Sequence, residues 1–114
     1  MNDAPTGILN PGAIDAMTSD ADGVVRLHVV QTCAWDGSDQ LLLLLQEKLF
    51  NYLSYVADGK LARQLPGQRS RWGVVVDCVA EPDARTRALL REAGRQFESL
   101  GGGLEIRLPS DEPR

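Results

Sequence analysis

His28 is the only histidine in the 114-residue chain. An imidazole beside a carboxylate has the chemistry of a general base, because it titrates near the working pH. Alternation along Val24–Gln31 (VVRLHVVQ) sends Val25, Leu27 and Val29 to one face of a strand and Arg26 and His28 to the other. The same alternation over Trp72–Val79 (WGVVVDCV) separates Trp72, Val74, Val76 and Cys78 from Asp77. With Glu105 and Arg107 of a short last strand, Arg26, His28 and Asp77 make a charged set on one sheet face, among Val24, Val30 and Val75. The functional reading is a small-ligand or enzyme site using His28 and Asp77, which requires a concavity around them. The plainer reading is a wet sheet face, where opposite charges on neighbouring strands support pairing.

Other constellations carry less. His28, Cys33 and Cys78 match no compact metal-ligand spacing, and His28 and Cys78 face opposite sides of the sheet. Thiols in such apolar strand contexts behave as small hydrophobes. Arg87, Arg91 and Arg95 recur every four residues on one helix and suit phosphate or an acidic partner, or simply the solvated back of that helix. Gly101-Gly102-Gly103 follows a helix and lacks a P-loop lysine, so it reads as a C-cap. No GxSxG, HExxH, CxxC or EF-hand pattern occurs. No catalytic residue, metal ligand or cofactor is therefore assigned.

The most telling stretch is Asp39–Ala57 (DQLLLLLQEKLFNYLSYVA). Leu42, Leu45, Leu49, Tyr52, Leu53 and Val56 form an apolar stripe at helical spacing. Leu43 and Phe50 add a shoulder on one side, and Leu44 and Tyr55 another on the opposite side. Glu47, Asn51 and Ser54 leave only a narrow polar strip. A helix this apolar is usually covered on more than one side. Ile8-Leu9, or Leu61 and Leu65, can cover the first shoulder within the chain; a second copy across a two-fold axis, or another protein, can cover it from outside.

The elements that position these residues follow in order. Residues 1–12 are a flexible, proline-punctuated lead-in, 13–109 a single domain, and 110–114 a frayed tail. Ala13–Thr18 alternates as a strand and pairs through the turn at Asp22-Gly23 with Val24–Gln31. Trp35 packs near the entrance of the long helix, Asp36 or Ser38 caps it, and Asp58-Gly59 ends it. Lys60–Ser70 has no clear period. Pro82 and Asp83 open a second helix, whose inner stripe is Thr86, Leu89, Leu90, Ala93, Phe97 and Leu100. Leu104, Ile106 and Leu108 then alternate with Glu105 and Arg107. The expectation is an α+β domain in β-β-α-β-α-β order, with two helices on one face of a four-stranded mixed sheet.

Bulk properties narrow the partners. A net charge of −4 and a pI near 4.9 disfavour nucleic acid and anionic membranes. Residues 1–39 hold six Asp against Arg26 alone, and residues 60–107 nine Lys/Arg against six acids. That is ordinary surface variation, or a basis for pairing acidic with basic patches. No signal peptide opens the chain and no run of about 18 apolar residues occurs, so the expectation is a cytoplasmic protein.

On Ile14-Asp15, Trp35-Asp36, Leu42-Leu43-Leu44-Leu45-Gln46-Glu47-Lys48-Leu49 and Tyr52-Leu53, the chain resembles a bacterial domain-of-unknown-function family, DUF 6572. That family often carries His where this chain has Leu41 and Asn where it has Phe50, which weakens a polar role for the helix. The resemblance implies a bacterial cytoplasmic protein and brings no activity, cofactor or catalytic residue. Together these observations favour a non-enzymatic binding or regulatory module working through protein contacts, with homodimerisation or an immunity- or antitoxin-like role as narrower versions. The interface candidates are Leu43, Phe50, Leu44 and Tyr55.

Overall fold

Strands rich in β-branched residues supply the sheet, and two amphipathic helices cover it. The computed structural model describes residues 14–19, 23–31, 35–64 and 71–109. In chain order they form β1 (Ala16–Ser19), β2 (Val25–Gln31), α1 (Asp39–Ala57), α2 (Lys60–Gln64), β3 (Trp72–Cys78), α3 (Ala84–Ser99) and β4 (Leu104–Arg107). The strands lie in the order β1-β2-β3-β4. β1 is antiparallel to β2, and β2, β3 and β4 run parallel.

The α+β architecture read from the sequence is the one observed, with α2 as an addition. The aperiodic stretch after α1 begins with this short helix, and its Leu61 is buried in the core. A five-residue helix is too short for periodicity to reveal. The expected lead-in, the tail, Asp22, Cys33 and Leu65 lie outside the described residues.

Both parallel crossovers step the same way across the sheet, so two right-handed connections bring α1 and α3 to one face. A single core joins Val25, Leu27 and Val29 of β2 and Val74, Val76 and Cys78 of β3 to Leu45, Leu49 and Tyr52 of α1 and to Leu90 and Phe97 of α3. Burial of this kind is worth about 25 cal/mol per Å² of apolar surface removed from water.

The helix ends follow the local chemistry. Ser38 is the N-cap of α1, accepting from the Leu41 N–H at 3.2 Å, while Asp36 accepts from the Ser38 N–H at 2.9 Å. Asp83 caps α3 through the Arg85 and Thr86 N–H groups and the Thr86 hydroxyl. At the other end of α3, Gly102 N–H donates to the Phe97 carbonyl at 2.9 Å and Gly101 N–H to that of Glu98 at 3.0 Å, a Schellman closure with Gly101 at φ 91°. Leu100, expected on the inner stripe of this helix, is 40% exposed. It is the C-cap residue, beyond the last turn that faces the sheet.

The buried stripe of α1 also differs from expectation. Its buried residues are Leu45, Lys48, Leu49 and Tyr52, with Leu41, Leu44, Leu53, Tyr55 and Val56 packed beside them; Leu42 is only half-buried and lies outside the core cluster. The stripe is turned toward Lys48. As a result Leu43 and Phe50 point away from the sheet rather than along the flank of the core.

Candidate functional site

The sheet register assembles the charged face that alternation implied. His28 lies opposite Val75, Val30 opposite Asp77, and Asp77 opposite Arg107. The His28 and Asp77 side chains meet diagonally, with Nδ1 2.8 Å from Oδ2. The other ring nitrogen, Nε2, is 2.8 Å from the Thr18 hydroxyl on β1. If Nδ1 carries the proton, it donates to Asp77 and leaves Nε2 to accept from Thr18. Arg107 turns to Glu105 of its own strand at 3.4 Å, and Arg26 stands opposite Thr18. The structure thus joins His28 with Asp77, sets Glu105 and Arg107 aside as a separate pair, and adds Thr18. No periodicity could nominate Thr18, because only the β1–β2 register places it beside His28.

A cavity of about 250 Å³ borders this face at the carboxyl ends of β2, β3 and β4. Val30, Asp77 and Arg107 line it, but Thr18 and His28 do not. The His28 side chain is only 12% exposed, so the ring is largely covered, and of the pair the cavity reaches its partner Asp77 alone.

Behind the sheet lies a polar network. The Lys48 ammonium, fully buried in α1, contacts the Asp15 carboxylate at 2.8 Å, and that side chain is equally buried. The second Asp15 oxygen accepts from the Val30 N–H at 2.8 Å. Tyr52 receives the Asp15 N–H on its hydroxyl and donates that hydroxyl proton to the His28 carbonyl. Burial pushes the Tyr52 hydroxyl well above the ordinary tyrosine range. Asp15 ends the β1 ladder with its side chain, and α1 is tied by Lys48 and Tyr52 to both strands. One signal of this was present in the sequence: Lys48 falls between Leu45 and Tyr52 on the apolar stripe, where a lone lysine requires a buried partner.

The thiol reading does not gain support from the geometry. Cys78 Sγ receives the Trp35 indole N–H at 3.3 Å, and burial raises its pKa. A raised pKa suppresses the thiolate. His28 and Cys78 do face opposite sides of the sheet, and no group of three metal-ligating side chains occurs among the described residues.

On the outer side of the helix layer, Leu43 is 64% and Phe50 63% exposed. Beside Phe50, a groove of about 140 Å³ runs between α1 and α3 over Leu49, Leu53, Leu89, Ala93 and Phe97. The opposite shoulder behaves differently: Leu44 and Tyr55 pack against the protein's own core. Of the arginine row, Arg87 is held by the Pro82 carbonyl and by Glu81, and Arg95 by Glu92. No helix among the described residues is long and apolar enough to cross a membrane.

A family model described as a family of unknown function (DUF6572) matches residues 6–110. No curated protein and no solved structure matches the chain.

Proposed function

The chain belongs to the DUF6572 family of unknown function, and we propose that it is a non-enzymatic binding module that engages a protein partner through the outer face of α1. One observation carries this reading: Leu43 and Phe50, seven residues apart on the same helix face, stand in solvent, and Phe50 borders the groove between α1 and α3. Large apolar side chains grouped beside a groove are typical of contact surfaces. Glu47 lies between them along the helix and is exposed, whereas the one lysine of α1 is buried. The occupant that fits is an amphipathic segment of a partner protein, with an apolar residue for the groove and a basic residue for Glu47. Leu44 and Tyr55 serve the protein's own core and are not part of this surface.

The test is affinity capture from the native host with the wild-type chain and with Leu43→Asp/Phe50→Asp, followed by titration of the purified partner. The expected result is a partner bound by the wild type and at least about a hundredfold more weakly by the double variant, the loss of about 2.7 kcal/mol. Equal binding by both overturns the reading. Loss of self-association in the double variant, seen by light scattering, would identify the occupant as a second copy. A toxin as the partner would narrow the role to an immunity- or antitoxin-like one.

The Thr18–His28–Asp77 relay favours a second reading, a small-ligand or enzyme site on the open sheet face. A hydroxyl, a base and an orienting carboxylate in hydrogen-bond reach are the parts that activate a nucleophile. Its test is a panel of chromogenic esters compared between wild type and His28→Ala; turnover unchanged by the substitution removes it. The cavity that borders Asp77 without reaching His28 makes this the weaker of the two.

A further inference from the structure

We infer that the cavity at the carboxyl ends of β2, β3 and β4 binds a small zwitterion, a free aliphatic amino acid, between Asp77 and Arg107. These two residues are register partners on β3 and β4 and lie on the same face of the sheet. Opposite charges side by side on neighbouring strands ordinarily close on one another. Here they part. Asp77 turns to His28 through Oδ2 at 2.8 Å, and Arg107 turns to Glu105 through Nη2 at 3.4 Å. Both still line the cavity between them.

Each keeps hydrogen-bonding capacity to spare. Among the described residues Asp77 Oδ1 has no hydrogen bond or ion pair. A guanidinium carries five N–H donors, and Arg107 directs only Nη2 to Glu105. The two side chains are 30% and 33% exposed. Neighbouring strands lie about 4.8 Å apart, a span that one small molecule can bridge. A lone cation or a lone anion would answer only one of the two charges. A zwitterion answers both, with its ammonium at Asp77 and its carboxylate at the Arg107 fork.

The remaining wall selects the rest of the ligand. Val30, Val79, Leu108 and Pro109 line it, and Val79 is half-exposed. An aliphatic side chain laid over Val79 takes both apolar surfaces out of water. The cavity measures about 250 Å³. A void of about 150 Å³ holds benzene, so this one suits a molecule somewhat larger than that ring. Free valine, leucine, isoleucine and methionine are of this size; a nucleotide is too large. The site needs neither a partner at α1 nor turnover at His28, and so stands apart from both readings of function.

Amide NMR shifts of the full chain, titrated with L-leucine to about 50 mM, decide the matter. Leucine should shift the amides around Asp77, Val79 and Arg107 saturably, with a dissociation constant of about 1 mM or tighter. Isocaproate, which lacks the ammonium, and isoamylamine, which lacks the carboxylate, should each bind at least about tenfold more weakly. Asp77→Asn should abolish the preference for leucine over isocaproate, and Arg107→Gln the preference over isoamylamine. A merely structural role for either residue would not remove one preference and keep the other. Val79→Glu, at a half-exposed position, should weaken leucine at least about tenfold and keeps the test open if Asp77→Asn misfolds, with circular dichroism as the check on folding. No saturable shift at this site with any of the four amino acids, an amine or acid that binds as well as leucine, or variants that bind leucine like the wild type would each overturn the inference. Leu43→Asp/Phe50→Asp should bind leucine unchanged, so loss of the α1 partner and loss of this site can be told apart.

Discussion

The Lys48 ammonium lies 2.8 Å from the Asp15 carboxylate with both side chains out of water, so the middle of α1 is tied to the residue just before β1 by a buried ion pair. The ammonium also stands 5.7 Å from the centre of the Tyr52 ring. Desolvating two charges is expensive, and the attraction repays it only when the remaining donors and acceptors are satisfied. Here Asp15 has the Val30 N–H as a second donor.

Removing one partner should therefore cost far more than removing both. Lys48→Met leaves a buried carboxylate and should destabilise the fold by about 3–5 kcal/mol. Lys48→Met/Asp15→Asn should recover most of that, since asparagine still offers an oxygen to Val30. Urea denaturation of both variants and the wild type is the check. A single variant as stable as the wild type would show that the pair is not interdependent.

Tyr52→Phe deletes the hydroxyl between Asp15 N–H and the His28 carbonyl and should cost about 1–3 kcal/mol. The same hydroxyl makes stability depend on pH. Burial raises its folded-state pKa, so the unfolded chain ionises first, near pH ~10. This contribution is complete below that pH and declines above it, because the folded state keeps a proton that the unfolded state loses. Urea midpoints between about pH 8 and 11 should fall less steeply for Tyr52→Phe than for the wild type.

Gly102 is where the end of α3 meets Trp72. A Cβ at this position would lie 2.5 Å from the indole ring, which itself packs edge-on against Phe97 at 5.8 Å. Gly102→Ala should cost about 1–3 kcal/mol through displacement of the ring. Gly103→Ala, with nothing within 4 Å of the added carbon, should stay within about 0.5 kcal/mol. Thermal melts of the two variants make the comparison.

The exposed and buried leucines of α1 should separate cleanly. Leu43→Ser and Phe50→Ser remove side chains that stand in solvent and should shift stability by no more than about 0.5 kcal/mol. Leu45→Ala opens a cavity at a fully buried position and should cost about 2–5 kcal/mol. Denaturant titration distinguishes these outcomes; a large loss from Phe50→Ser would mean that the ring serves the fold.

Much of the architecture was legible because it rests on local rules. Alternation in VVRLHVVQ and WGVVVDCV marks two strands whose apolar faces do form the core. Ser38, Asp83, Gly59 and Gly101 behave as their residue types dictate at helix ends. The candidate surfaces were half legible. Arg26, His28 and Asp77 share a face by parity alone, but Thr18 enters only through the strand register. Leu43 and Phe50 stood out as surplus apolar surface, whereas Lys48 passed unnoticed in a run of leucines.

The residue pattern by itself determined the order of the elements other than α2, the limits of the two long helices and which face of β2 and β3 is apolar, because those depend on neighbours a few positions apart. Tertiary structure alone decided that Asp15 would reach Lys48, 33 positions away. A lysine taken out of water must keep a carboxylate partner, and the helix face that carries Lys48 meets Asp15 while Leu43 and Phe50, on another face, stand in solvent.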